Sequence, residues 1–290
     1  MLSTLLLTLL TLIMFAANSV LARLALQDQA IDAGSFTAIR LLSGAATLLL
    51  ILQFSRRSHR HSVKSTLAAM SKGKWLSAAM LTTYAVAFSY AYLSLDTGIG
   101  ALVLFAAVQM TMISVSLWQG ARFQAIEWFG LVLAFSGFVY LIAPNLTTPS
   151  GIGFVLMTLS GIAWGLYTLA GKKATQPTSE TAYNFFRAIP FAVVIALTVF
   201  VLSTPTLTTR GVLLAIASGA LASGCGYALW YQVLGKITTM QAGVVQLFVP
   251  VIATFGGVLF AGEALTLRLV IASVWILGGL MCVLVAKKQS

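Results

Sequence analysis

The residues in this sequence that could do chemistry are polar, ionisable or aromatic side chains set inside long apolar runs. Asn18, Tyr84, Tyr90, Gln109, Trp164, Tyr167, Tyr227, Trp230 and Gln246 are amides and rings of this kind. Rings bind organic molecules and amides orient them, so these nine are the candidates to line a binding pocket. Trp230 and Tyr231 are adjacent and point about 100° apart on a helix, so at most one of them faces a common ligand. Tyr92 and Tyr140 fall near the ends of apolar runs, where aromatic rings anchor helices at a membrane surface.

Four further residues concern movement and gating. An ionised side chain in hydrocarbon costs about 2.5–3.5 kcal/mol, so Arg40 and Arg187 need partners or water. Two readings stand for each, a gate residue or a structural anchor that snorkels or bonds backbone carbonyls. Pro250 removes a backbone hydrogen bond from its helix and would permit a bend near the membrane midplane, as a hinge or as a fixed kink. Glu263 belongs to a set of six acids, with Asp28, Asp32, Asp96, Glu127 and Glu180, all in loops or at the ends of apolar runs. A proton-carrying carboxylate at a helix centre is therefore disfavoured, and coupling through an end-positioned acid such as Glu263 stays open.

Other chemistries find no support. His59 and His61 lie in a basic stretch without nearby carboxylates or cysteines, so a metal site is not expected, nor any cofactor. Cys225 and Cys282 sit in apolar segments and read as packing residues rather than a disulfide. There is no HExxH, no Gly-x-Ser-x-Gly, no nucleotide loop and no histidine in an apolar run to act as a base, so an enzyme is not expected. A channel would need a filter or a charged ring within the spans.

The elements that must position these residues follow from composition. A chain of 290 residues that is 59% hydrophobic and 8% charged cannot hide its apolar surface in a water-soluble globule. A mean hydropathy of +0.98 agrees. The net charge of +11 falls between apolar segments rather than along one polar face, so it reads as membrane topology and not as nucleic-acid binding. Charge-poor runs and turn residues predict spans near 2–23, 33–54, 75–95, 98–118, 127–143, 151–171, 181–202, 211–234, 240–261 and 268–286. The uncharged run from Met1 to Ala22 lacks a basic n-region and exceeds a usual signal-peptide core of about 7 to 15 residues, so it reads as the first span, retained. Pro144, Asn145, Pro149, Ser150 and Gly151 break a run too long for one crossing, and the turn at Asp96 and Thr97 forces an antiparallel hairpin.

With a cytoplasmic amino terminus, twelve Lys and Arg lie on the inner side against three, Arg23, Arg210 and Arg268, on the outer side. Both termini are therefore expected in the cytoplasm. Small residues at four-residue spacing, Gly161 with Gly165, Ala222 with Gly226, and Ala253 with Gly257 and Ala261, predict close helix contacts.

The sequence also repeats itself. Ile13–Ser19 matches Ile162–Thr168 with an aromatic, a small residue and a polar residue in step. Phe36 and Arg40 pair with Tyr183 and Arg187, Ala101–Val103 with Gly243–Val245, and Gly120 and Gly137 with Gly262 and Gly279. The offset falls from 149 for Phe15 and Trp164 to 147 for Arg40 and Arg187 and 142 for Gly137 and Gly279, because the first half carries extra basic residues after its second span. Five spans per unit is an odd number, so the second copy enters the membrane from the opposite side. Such halves can exchange conformations between an inward-open and an outward-open state, which favours a secondary transporter over an enzyme, channel or scaffold.

Two units of five spans, residues 1–145 and 146–290, with the aromatic-small-x-polar element, an arginine early in the second span of each, and Pro250, Gly262, Glu263 and Gly279 in the second, resemble the EamA-type transporters of the drug/metabolite transporter superfamily. The resemblance implies an all-α fold of ten transmembrane helices as two inverted five-helix repeats. It further implies a central cavity lined mainly by helices 1, 3, 4, 6, 8 and 9, working by alternating access. The sequence departs from strict symmetry at Val108 against Pro250, Phe15 against Trp164 and Ala121 against Glu263. The expected function is movement of small amino-acid-like or amphipathic drug-like metabolites across the cytoplasmic membrane, in the export direction. The expected partners are the small-molecule substrate and the lipid bilayer, with no nucleic acid, and a monomer is sufficient.

Overall fold

The computed structural model describes residues 2–58, 74–120, 122, 124–142, 150–171, 176–202, 204–234, 236 and 245–286. The basic stretch with His59 and His61, the Pro144 to Pro149 break, Lys172, Lys173, Gln241 and Gly243 lie outside them. The described residues are helical with short links. In chain order the helices are α1 (Leu2–Leu26), α2 (Ala33–Ser58), α3 (Trp75–Ala91), α4 (Thr97–Trp118), α5 (Ala125–Ile142), α6 (Ser150–Gly171) and α7 (Pro177–Leu202). Next comes α8, a continuous rod of three segments, Thr209–Ala217, Ser218–Cys225 and Gly226–Leu234, followed by α9 (Val249–Phe260) and α10 (Leu267–Ala286). No strand forms among the described residues; Ile31 and Leu207 make one isolated antiparallel bridge between the α1–α2 and α7–α8 links.

Lipid offers no hydrogen bonds, so a chain this apolar satisfies its backbone within helices. Hydroxyls follow the same rule: Thr11, Thr37, Thr82, Ser89, Thr111 and Thr254 each donate to the carbonyl four residues back, at 2.7–2.9 Å. Six helical stretches among the described residues are long and apolar enough to cross a membrane: Thr4–Leu26, Ala33–Phe54, Thr97–Trp118, Gly151–Gly171, Thr178–Leu202 and Thr209–Trp230. Ala125–Leu141, Val249–Phe260 and Leu267–Val283 are shorter apolar helices. Large apolar side chains such as Leu6, Phe135, Val194, Phe200, Leu259 and Val274 face outward, where only hydrocarbon leaves them without penalty. The chain is an integral membrane protein.

Helices α1, α9, α4, α6 and α3 pack in succession, and α8 rejoins α1, with α2 and α7 packed together and closing the gap between α3 and α8. The α5–α10 pair packs extensively on itself and touches the rest through α4. Small residues set these approaches. A Cβ at Gly161 would lie 2.5 Å from Ala107 Cβ and 2.6 Å from the Leu104 carbonyl, so α6 rests directly on the α4 backbone. In the same way α5 and α10 cross where Gly130 meets the Gly279 carbonyl.

Three features differ from the sequence expectation. Within the expected ninth span, 240–261, Val245 and Gln246 are helical, Leu247 and Phe248 make a turn and α9 follows from Val249, while residues 240–244 lie outside the described set. Pro250 consequently sits in the first turn of α9 rather than in mid-helix. The amide groups of a first turn have no partner within their own helix, so the missing amide of Pro250 leaves no α9 bond unmade, and the proline stands beside the turn that separates helical Val245 and Gln246 from α9. The proline inside a helix is instead Pro190 of α7. The eighth span widens into a π-helical segment over Ser218–Cys225. There a Cβ on Gly219 would collide with the Arg40 carbonyl and the Ser43 hydroxyl of α2, which makes Gly219 the point of closest approach between α2 and α8.

Because α6 lies on the α4 backbone at Gly161, Gly161→Leu is expected to destabilise the protein by about 1–3 kcal/mol through overpacking. Thermal unfolding in detergent should show a clear drop in Tm, while Gly278→Ala, which meets nothing within 4 Å, should leave it unchanged. Equal melting of the two variants would contradict this packing.

Candidate functional site

The bundle centre holds an aromatic box. Phe15 and Asn18 reach it from α1, Tyr84 and Phe88 from α3, Trp164 from α6 and Tyr227 from α8. The Trp164 ring stacks on Tyr227 at 4.9 Å between centroids and packs tilted on Tyr84 at 4.9 Å. Phe15 meets Tyr227 edge-on at 5.9 Å and Trp230 at 5.7 Å. Such pairs contribute about 0.5–1.5 kcal/mol each beyond burial. It encloses a cavity of about 20 Å³ lined by α1, α3, α4, α6 and α8, with no α9 side chain among its walls. That volume admits a water or two and no organic molecule.

Behind Tyr84 and Phe88 lies Arg40, on α2. It is 2% exposed. Its Nη2 donates to Tyr84 Oη at 2.7 Å, its Nε to Ser223 Oγ at 3.4 Å, and its Nη1 is buried without a hydrogen-bond partner. The guanidinium carbon stands 4.6 Å from the Phe88 ring centroid and 5.0 Å from that of Tyr84. Cation–π contacts contribute about 0.5–2 kcal/mol each, whereas removing an ion from water costs several kcal/mol. The rings therefore offset only part of the burial of this charge. None of the ion pairs among the described residues includes Arg40.

The hydrogen-bond chain continues into the cavity wall. Asn18 Nδ2 donates to Tyr84 Oη at 3.2 Å, and Ser218 Oγ donates to Asn18 Oδ1 at 2.6 Å. Ser218 and Ser223 both come from the π-helical segment, whose wider turn and small residues let α8 approach α1 and α2 together.

The remaining sequence candidates divide. Tyr167 stacks on Trp164 at 5.5 Å and its hydroxyl accepts from Asn184 Nδ2 at 3.4 Å, so it backs the box from α6. Gln109 is buried on α4 one turn beyond Phe105, and Gln246 is buried just before α9; neither lines the cavity. Tyr90 stands about 120° around α3 from Tyr84 and is 40% exposed. Arg187 is partly exposed on α7, with its guanidinium 6.0 Å from the Trp75 ring. The two arginines of the sequence repeat are thus in different environments. Sequence reading passed over Phe88, Ser218 and Ser223. The spacing of Tyr84, Phe88 and Tyr92 at four residues was the available sign for the first, and the run Ser218–Cys225 of glycine, alanine and serine for the others.

A second polar cluster closes one end of the bundle. Arg23 at the end of α1 reaches Asp96 Oδ1 at 2.9 Å, Glu263 Oε1 at 3.3 Å and the Tyr92 carbonyl at 3.2 Å. Glu263 in turn accepts from the Thr97 amide at 2.8 and 2.9 Å and from its hydroxyl at 2.8 Å, capping the N-terminus of α4. Thus α1, the α3–α4 turn, α4 and the α9–α10 link are tied together at Glu263, whose side chain is 9% exposed. On the same side Thr208 binds the Ala30 carbonyl and Arg210 pairs with Asp28 at 3.3 Å. Among the described residues no group of His, Cys, Asp and Glu could hold a metal ion.

Comparison with known proteins bears on this arrangement. The model of the EamA-like transporter family matches residues 151–285. An uncharacterized protein of Pseudomonas aeruginosa is 46% identical over 281 residues, which are 97% of this chain and 94% of that protein. An uncharacterized transporter of Bacillus subtilis is 22% identical over 254 residues, covering 84% of this chain and 85% of its own. A Salmonella typhimurium protein named "Probable amino-acid metabolite efflux pump" is 24% identical over 212 residues, 68% of this chain and 70% of its own. One solved crystal structure shares the fold, with a TM-score of 0.66 at 17% identity over 97% of this chain and 99% of that one. A membrane-embedded helical bundle around a polar and aromatic cavity, joined to these likenesses, assigns the chain to the EamA-like transporter family of the drug/metabolite transporter superfamily: it is a membrane transporter.

Proposed function

We propose that the chain is a secondary transporter that exports small amino-acid-like or amphipathic metabolites across the cytoplasmic membrane by alternating access. Its working unit is a monomer of two inverted five-helix repeats, residues 1–145 and 146–290, with both termini in the cytoplasm. The observation that carries this reading is the aromatic box, whose rings fall into pairs related by the sequence repeat. Phe15 and Trp164 are 149 residues apart, and Tyr84 and Tyr227 are 143 apart. The contact of Phe15 with Tyr227 is then the counterpart of the contact of Trp164 with Tyr84.

Further observations support it. Gly120 after α4 and Gly262 after α9, a pair at offset 142, are the two glycines with positive φ among the described residues, at +90° and +66°. Helices five apart pack on one another as α2 with α7, α4 with α9 and α5 with α10, and α3 with α6 has α8 with α1 as its counterpart. The Arg23–Glu263–Thr97 cluster fits a closed gate on the outer side. A pocket of one or two waters behind it fits a contracted state of a cycle that must also open. Export is the direction favoured by the relative named for efflux.

Reconstituted protein should exchange labelled amino acids, nucleosides or organic cations across liposomes in counterflow, with saturation; linear flux would point to a channel instead. Cysteines at Gln27 and Gln176, 149 residues apart, test the inversion. In intact cells a membrane-impermeant maleimide should label Gln27→Cys and reach Gln176→Cys only after permeabilisation, and labelling of both from one side would end the inverted arrangement. The gate is read by Glu263→Gln in a chain carrying Ser19→Cys. Loss of the Arg23 pair should raise the labelling rate at position 19 from the outer side severalfold, and an unchanged rate would reduce Glu263 to a helix cap.

A further inference from the structure

We propose that Arg40 recognises a carboxylate on the transported molecule, which makes the cargo a small organic acid or amino acid with an apolar body. This rests on the transporter reading above and names the chemistry of its cargo. The argument begins with charge: a guanidinium does not shed its proton in a protein, so the interior of the bundle carries a permanent cation. Arg40 is 2% exposed, its Nη1 has no hydrogen-bond partner, and none of the ion pairs among the described residues supplies a counter-charge. The groups that do touch it, the Tyr84 and Ser223 hydroxyls and the rings of Tyr84 and Phe88, are all neutral.

The hydrogen-bond count points the same way. Tyr84 Oη receives donors from both Arg40 and Asn18, and the acceptor oxygen of Asn18 is already taken by Ser218. With these oxygens engaged, Arg40 Nη1 is left without an acceptor, and a carboxylate supplies one, since its two oxygens match the fork of an arginine.

Place and shape complete the case. Tyr84 and Phe88, which cover Arg40, and Asn18, which bonds the Tyr84 hydroxyl, are also walls of the cavity, and no acidic side chain lines it. A carboxylate at this wall would leave the apolar body of its molecule against Phe15, Trp164 and Tyr227. With a volume of about 20 Å³ the cavity must expand to load, and displacement of Tyr84 and Phe88 both enlarges it and uncovers the guanidinium. Arg187, the repeat counterpart, is partly exposed and lies beside Trp75, so it does not reproduce this feature in the second half.

The test uses four probes with one body: phenyllactate, phenylalanine, phenyllactamide and phenylalaninamide. They are loaded together into proteoliposomes of the full chain at pH 8, and efflux is followed by mass spectrometry against protein-free vesicles. The two carboxylates should leave saturably and the two amides at the protein-free rate. Arg40→Met should lower carboxylate efflux by about 30-fold or more, with Arg40→Lys retaining a measurable part of the carboxylate preference. Folding is read separately: Arg40→Met must elute as one species and melt cooperatively in detergent, and equal amounts of such protein are reconstituted before efflux is compared. Efflux of the amides as fast as the carboxylates in the unaltered chain, or an undiminished carboxylate preference in Arg40→Met, overturns the assignment. If none of the four moves while other compounds exchange in counterflow, the carboxylate assignment falls and the proposed transport function stands; if nothing exchanges in either assay, both fall.

Discussion

A positive charge buried inside the bundle, with no carboxylate paired to it among the described residues, organises the centre of this protein. Lipid cannot solvate Arg40, so the bundle must surround it with hydroxyls and ring faces, and four helices are recruited to do so. Helix α2 carries the guanidinium, α3 supplies Tyr84 and Phe88, α8 supplies Ser223, and Asn18 of α1 joins through the Tyr84 hydroxyl. Because the same side chains wall the central cavity, the interaction that makes the charge tolerable is also the one that shapes the site. Movement of Tyr84 alters both at once.

The close packing around that centre depends on small residues rather than on a large apolar force between helices, since lipid tails compete equally well for apolar surface. Gly219 lets the π-helical segment of α8 rest on the α2 backbone at Arg40, and Gly161 does the same for α6 on α4. The π turn widens the ladder and places Ser218 and Ser223 toward different neighbours, Asn18 and Arg40. A uniform α-helix would carry residues five apart to directions about 140° from one another, so the local unwinding bears directly on how one helix serves two partners.

The proposed repeat relation is carried by the rings and broken by the charges. Phe15, Tyr84, Trp164 and Tyr227 form corresponding contacts, whereas Arg40 is sealed within the bundle and Arg187 stands near its perimeter. Glu263 likewise has Ala121 as its counterpart, and its ties to Arg23 and Thr97 lie at one end only. Two halves that swap conformations need a shared scaffold, but binding and closure need not be duplicated. In this chain the first half carries the buried Arg40, and the second half carries Glu263, which ties Arg23 to the N-terminus of α4.

Much of the architecture was legible in the sequence because it rests on local quantities. Hydropathy and turn residues placed most helix ends within a few residues, and the four-residue rows at Gly161 and Gly257 marked real close approaches. Asn18, Tyr84, Trp164 and Tyr227 were recognisable as polar or aromatic groups inside apolar runs, and they meet at one cavity. What the tertiary structure alone decided was partnership and direction. Arg40 and Arg187 read alike along the chain and differ only in what packs against them; Ser218 and Ser223 carry no signal of their own until α1 and α2 approach; Pro250 could stand anywhere in its helix until the first turn of α9 is seen to hold it. Solvent preference is a property of each segment, whereas a hydrogen bond between residues 183 positions apart, as from Arg40 to Ser223, exists only once packing has brought them together.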